Sequence, residues 1–144
     1  MSSTQHVLAV HPTAPETAPE HRLARGVCID ACFDCAQACR SGADAWLDEQ
    51  GAANIRTCQR AQENCADMCL AAVSILPRLG SPGTDSGKAF MGALLQACMS
   101  ACRACQEQCE PHLAFPHCRL CREACARCEQ ACADLLDSLR LTRP

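Results

Sequence analysis

Cysteine dominates the chemistry open to this chain, because 16 of its 144 residues are cysteines. Thiols at this density are typical of either a disulfide framework or a carrier of soft metal ions. The sixteen positions are Cys28, Cys32, Cys35, Cys39, Cys58, Cys65, Cys69, Cys98, Cys102, Cys105, Cys109, Cys118, Cys121, Cys125, Cys128 and Cys132. They form four groups, within which neighbouring cysteines are three or four residues apart, except for a single step of seven.

Alternating steps of three and four residues place side chains on one face of an α-helix, as in the core positions of a helix bundle. The surrounding sequence is rich in alanine and poor in β-branched residues, which favours helices over strands. Breaks at Gly51, residues 77–87 and residues 110–116 separate four segments. We therefore predict an all-α fold: an antiparallel four-helix bundle with a cysteine-lined core.

The core pattern continues past the cysteines at both ends of the predicted bundle. Gln62 occupies the one core position within the run that is not a cysteine. Apolar residues extend the same pattern at Trp46, Ile55, Leu76, Met91, Leu95, Leu135 and Leu139. These positions predict a long middle section lined by sulfur, with mostly apolar plugs at its ends.

The rest of the composition restricts domain organisation and location. Residues 1–19 contain three prolines and no apolar signal segment, and predict a disordered arm before a single bundle domain over residues 20–144. A net charge of −3 without blocks of like charge argues against nucleic-acid partners, and no apolar run is long enough to cross a membrane. Without an export signal we expect a cytoplasmic protein, where disulfides are rare and clustered thiols more often bind metal.

Helix geometry favours metal over disulfides. Residues three or four apart on a helix have Cβ atoms about 5 to 6 Å apart, whereas a disulfide needs about 3.5 to 4.5 Å. A linear S–metal–S unit spans about 4.6 Å at about 2.3 Å per bond, and a C-x3-C pair can present it. Among the metals that thiolates prefer, Cu(I) accepts two ligands, so we predict storage of multiple Cu(I) ions. Eight ions fit if each thiolate binds one ion, and sixteen fit if each bridges two.

Other functions stay open at this point. A sink for zinc or cadmium would use the same thiols in tetrahedral sites, and a structural bundle stapled by disulfides between helices is a third possibility. A redox enzyme fits less well, because its thiols would have to be exposed rather than turned into a core.

The C-x3-C pairs on every predicted helix resemble those of the bacterial copper storage proteins, over about residues 20–140. The absence of a signal peptide resembles the cytosolic branch of that family. The resemblance implies a non-enzymatic store of many Cu(I) ions, commonly a homotetramer, with copper chaperones or low-molecular-weight thiols as partners. It also implies histidines at one open end, for which His112 and His117 are the candidates. Gln62 and Met91 are further candidates there.

Overall fold

The computed structural model describes residues 1–80 and 83–141, and this part of the chain is helical throughout, with no strand. It contains five α-helices: α1 (Ser3–Ala9), α2 (Pro19–Ala45), α3 (Arg56–Ile75), α4 (Asp85–Cys109) and α5 (Pro116–Leu141). Helix α2 packs on α3 and α5, and α4 packs on the same two helices. The predicted four-helix bundle is therefore confirmed, formed by α2 to α5.

Proline and threonine mark where the long helices begin. Helices α2 and α5 start at Pro19 and Pro116, where the missing N–H has no intrahelical partner to lose. Helix α4 starts after Thr84, whose hydroxyl accepts a hydrogen bond of 3.1 Å from the backbone of Gly87. Gly51 lies in the α2–α3 connection with a φ of 76°, a backbone conformation that favours glycine.

The bundle core is lined by sulfur in its middle and by apolar side chains at its ends. All sixteen cysteines are at most 1% exposed. Leu76, Leu95 and Leu135, together with Met91, are wholly buried at one end, which we call the apolar plug. Trp46 is buried at the other end, while Ile55 and Leu139 are only partly buried. The predicted core register is correct, with looser packing at its margins.

The first nineteen residues differ from the predicted disordered arm. Helix α1 begins after Ser2, whose hydroxyl accepts a hydrogen bond of 3.1 Å from the backbone of Gln5, and α1 packs against α2. Leu8 and Ala14 are buried there, at 2% and 4% exposure. A β-carbon at Gly26 would lie 2.8 Å from Gln5 Cγ, so this glycine lets α1 approach α2 closely. Contacts with the adjacent helix α2 order the segment, although the composition of residues 1–19 does not indicate this.

Two parts of the predicted domain lie outside the described residues: 81–82 in the α3–α4 connection and 142–144 at the end of the chain. None of the helices formed by residues 1–80 and 83–141 has the length and apolar character needed to cross a bilayer.

Candidate metal centre

The thiols of all four bundle helices converge on one line, which we call the sulfur column. Across helices, Sγ atoms lie 3.6 Å apart in the pairs Cys28–Cys132 and Cys32–Cys128, and again between Cys39 and Cys121. Between these pairs, Cys65 lies 3.7 Å from Cys102 and Cys69 lies 3.9 Å from Cys98. Thiols of different helices are therefore in close contact along the column from Cys28 to Cys121.

These contacts build overlapping groups of possible metal ligands. In each group the Sγ atoms lie within 4.8 Å of one another, and five of the groups are Cys32–Cys69–Cys98–Cys128, Cys35–Cys65–Cys69–Cys102, Cys35–Cys39–Cys65–Cys125, Cys39–Cys105–Cys121–Cys125 and Cys28–Cys32–Cys132. Successive groups share one or two thiols. A shared thiolate can bridge two ions, so the column suits a continuous chain of metal ions better than isolated sites.

The distances between Sγ atoms indicate which coordination geometries the column can provide. At about 2.3 Å per metal–sulfur bond, a trigonal site separates its sulfurs by about 4.0 Å and a tetrahedral site by about 3.8 Å. The observed contacts of 3.6 to 3.9 Å lie close to both values. The C-x3-C pairs identified in the sequence are not isolated two-ligand sites. Cys35 and Cys39 lie 3.9 Å apart, but each also belongs to groups that include cysteines of other helices. The linear two-thiol unit is therefore only one of the geometries available.

The sixteen thiols are all free. The Sγ contacts of 3.6 Å and more are far longer than the sulfur–sulfur bond of about 2.05 Å. The disulfide-stapled bundle is not the arrangement seen in this structure.

Hydrogen bonding between thiols controls their charge. Hydrogen bonding with Cys105 and Cys121, together with burial, raises the pKa of the Cys125 thiol far above its ordinary value. The opposite holds at Cys58, where hydrogen bonding to Cys109 and Cys118 lowers the pKa to about 3 against the effect of burial. A thiolate in this core is stabilised by S–H donors around it, and those donors then hold their protons more tightly.

Cys58, Cys109 and Cys118 lie at the end of the column near the α2–α3 and α4–α5 connections, and we call them the mouth triad. Aromatic rings surround this end. The Trp46 indole makes edge contacts with His112 at 5.2 Å and with His117 at 4.6 Å between ring centroids. The structure thus places both histidines predicted from the sequence against one buried indole, beside the mouth triad.

The two nitrogens of His117 have different surroundings. Nε2 lies 3.1 Å from Glu49 Oε1, and in the tautomer whose Nε2–H donates to this carboxylate the lone pair lies on Nδ1. Nδ1 is buried and has no hydrogen-bond partner among residues 1–80 and 83–141. This nitrogen is therefore free to bind a metal ion, and Glu49 orients it. The sequence does not single out Glu49, because 68 residues separate it from His117.

The opposite end is closed by packing and by a polar network. Met91 belongs to the apolar plug, since Leu95 stands between it and Cys98 on the same helix. Beyond the plug, wholly buried Arg25 donates to the carbonyl oxygens of Leu76 and Arg78 at 3.0 and 3.2 Å, and so caps the end of α3. Burial, and then the charge of Arg25, lowers the pKa of the neighbouring His21 to about 4. The sequence pattern does not indicate a buried arginine here.

Comparisons with known proteins agree with this geometry. The chain matches the family model for copper storage proteins over residues 21–137. It is 38% identical to the copper storage protein Ccsp from Streptomyces lividans in a structure loaded with 10 copper equivalents, with a TM-score of 0.82 over 94% of this chain and 99% of that one.

A second structure is described as copper loading, with five coppers, of a cytosolic copper storage protein from the same organism. It is 43% identical, with a TM-score of 0.74 over 81% of this chain and 95% of that chain. A cysteine-rich protein of Bacillus subtilis (strain 168), YhjQ, whose function is uncharacterised, is 33% identical over 108 residues, which is 75% of this chain and 92% of YhjQ. With its family model covering residues 21–137 and a bundle core lined by sixteen free thiols, this chain belongs to the copper storage protein family.

Proposed function

We propose that all sixteen cysteines are Cu(I) ligands and that the protein is a cytosolic reservoir without catalytic activity. The observation that carries the proposal is the overlap of the thiol groups. Because neighbouring groups share cysteines, one thiolate can bind two neighbouring ions. Thiolates are the soft ligands that Cu(I) prefers. A buried column also neutralises its own charge when thiolates and ions are equal in number, which favours the upper end of the range of eight to sixteen ions.

The experiment is an anaerobic Cu(I) titration of the reduced protein, followed by native mass spectrometry. We expect the bound number to rise past eight toward sixteen, with about one proton released per cysteine as the thiols ionise. A plateau at four ions or fewer would contradict a store built from the whole column.

His112 and His117 are proposed as the receiving ligands at the mouth. The free Nδ1 of His117 and the partial exposure of both rings support this role. A copper chaperone or a low-molecular-weight thiol would release its ion to these imidazoles, which then pass it to the mouth triad. Replacing both histidines by alanine is expected to slow loading and to leave the final stoichiometry within one or two ions of the original.

A homotetramer is the proposed assembly. Exposed apolar side chains on α2 offer a surface for it: Leu23 at 59%, Val27 at 43% and Phe33 at 45% exposure. Light scattering coupled to gel filtration measures the mass directly, and a value near 15.4 kDa would contradict the tetramer.

Storage of zinc or cadmium is a second candidate, because sulfur spacings of 3.6 to 3.9 Å also suit tetrahedral sites. The two functions are separated by challenging the Cu(I)-loaded protein with excess zinc. We expect no displacement of copper, whereas exchange of most of the ions would favour the zinc store.

A further inference from the structure

Gln62 is a polar residue placed where the pattern of the core calls for cysteine. It lies on the buried face of α3, one turn after Cys58 and three residues before Cys65, and its exposure is 0%. Within the described residues, neither Oε1 nor Nε2 of its amide has a hydrogen-bond partner. An amide buried without partners destabilises the empty fold, so its presence in the core calls for an explanation.

Helix α2 is shaped around this amide. A β-carbon on Gly42 would lie 2.7 Å from Gln62 Nε2, closer than a real β-carbon approaches. Glycine is a poor helix former, and Gly42 lies in the last turn of α2, so α2 gives up some stability to admit the side chain. The same β-carbon position lies 3.7 Å from Cys121 Cβ, which means that the amide and a column cysteine border one gap.

Gly42 follows Cys39, the last cysteine of α2, and Gln62 separates Cys58 from Cys65 on α3. At the level of Gly42 and Gln62, α5 contributes Cys121, which hydrogen-bonds to Cys109 of α4. The mouth triad is therefore joined to the column along α4 and α5, and is set apart from it on the side of α2 and α3. Gln62 stands at the junction.

A second N–H donor lies beside the mouth triad. Trp46 is 2% exposed, and hydrogen bonding from its indole helps to lower the pKa of the Cys58 thiol. Trp46 therefore already stabilises a thiolate at the mouth, whereas the Gln62 amide has no partner within the described residues. Three thiolates around one Cu(I) carry a net charge of −2, and N–H donors are the groups that stabilise such sulfur.

We infer that Gln62 and Trp46 are positioning residues for copper at the mouth: the Gln62 amide, which is unpaired in the metal-free protein, and the Trp46 indole donate N–H groups to Cu(I)-bound thiolates of the mouth triad and Cys121. The amide oxygen is a hard ligand and Cu(I) is a soft ion, so Gln62 acts through the thiolates rather than by binding the metal. This inference rests on the proposed function. It adds that the ions at the mouth depend on two residues that are not metal ligands.

The test replaces Gln62 by leucine and compares it with Gln59→Leu. Gln59 lies on the same helix, but its amide already donates to the Ala43 carbonyl oxygen at 3.2 Å. We expect Q62L to raise the midpoint of thermal unfolding of the empty protein by about 5 °C, because unpaired buried polar atoms are removed. In competition with the Cu(I) chelator bathocuproine disulfonate, Q62L is expected to hold its most exchangeable ions about tenfold more weakly. Q59L should leave the competition curve unchanged.

The inference can also be tested on the unaltered protein. Cu(I) is diamagnetic, so the side-chain amide of Gln62 can be followed by NMR during loading. We expect its N–H resonances to move when the chelator-sensitive ions bind, and to keep their empty-state positions while those ions are absent. Resonances that never move, or a Q62L competition curve that matches the unaltered protein, would overturn the inference. Failure of the unaltered protein to bind copper would instead overturn the proposed function.

Discussion

At the scale of single residues, the mouth depends on the orientation of one imidazole. When His117 Nε2 donates to Glu49, the buried Nδ1 carries the lone pair, and the edge contact with Trp46 restricts the ring further. Partners of this kind commonly influence metal affinity as strongly as the ligand does. If His117 receives copper as we propose, Glu49 is expected to influence copper entry although its carboxylate need not touch the metal.

Glu49→Ala tests this contact. Without the carboxylate the imidazole loses its fixed tautomer, and we expect the first phase of Cu(I) loading to slow about tenfold while the final number of ions stays the same. Trp46 is the only tryptophan and the chain has no tyrosine, so its fluorescence in a stopped-flow experiment reports directly on the mouth. Asp48→Ala, which removes the exposed neighbouring carboxylate, is the control and should load at the original rate.

The shared thiols of the column give a second prediction. Cys121 and Cys125 belong to one group, and Cys125 also belongs to the next. Replacing both by alanine is expected to lower the capacity by one or two ions, measured by mass spectrometry, because the remaining thiols close around the gap. Helicity by circular dichroism should survive; a collapse of the empty fold would show that these cysteines act mainly as packing.

At the scale of helices, the spacing of the cysteines in the sequence predicts which face of a helix they occupy. It does not predict which residues of other helices they contact. The steps of three and four residues are enough to predict the buried face of each helix, from Cys28 to Cys132. They cannot reveal that Cys35 lies 3.6 Å from Cys65, since that distance depends on how α2 packs against α3. Glu49 and Gln5 are missed for the same reason: each acts through a partner far away in the chain.

Helix α1 gives a prediction at this scale. Leu8 is its buried anchor on α2, and we expect Leu8→Ala to lower the free energy of unfolding by about 2 kcal/mol through lost burial and a residual cavity. Urea denaturation of the empty protein measures the change. Val7→Ala, at a position 63% exposed, should change stability by less than about 0.5 kcal/mol, and neither variant should alter copper capacity. Equal effects of the two would mean that α1 does not dock on α2 in solution.

At the scale of the whole molecule, the two ends of the bundle differ in chemistry. One end combines imidazoles, a carboxylate and the mouth triad. The other end has the apolar plug and, beyond it, the network of Arg25, His21 and Ser138, in which His21 Nδ1 lies 2.8 Å from the Ser138 hydroxyl. That network ties the start of α2 to the end of α5 and the end of α3, so it stabilises the fold rather than the metal.

His21 makes the stability of the whole bundle depend on pH. Its pKa falls from 6.5 to about 4 on folding, so between these values the unfolded chain binds more protons than the folded one. The stabilisation is therefore fully present above about pH 6.5 and is lost as the pH falls toward 4. Thermal unfolding of the empty protein across this window should show a declining midpoint, and His21→Gln should flatten the decline. His6→Gln, at an exposed position, should not.

The closed plug of Leu76, Leu95 and Leu135 has a consequence for how stored copper is recovered. If copper enters past Trp46, as we propose, it must leave by the same route, and the ion taken up last would be the first to be returned. We would then expect a fast fraction near the imidazoles and a slow fraction beside Cys28 and Cys132, and the time since loading would decide how much copper is promptly available.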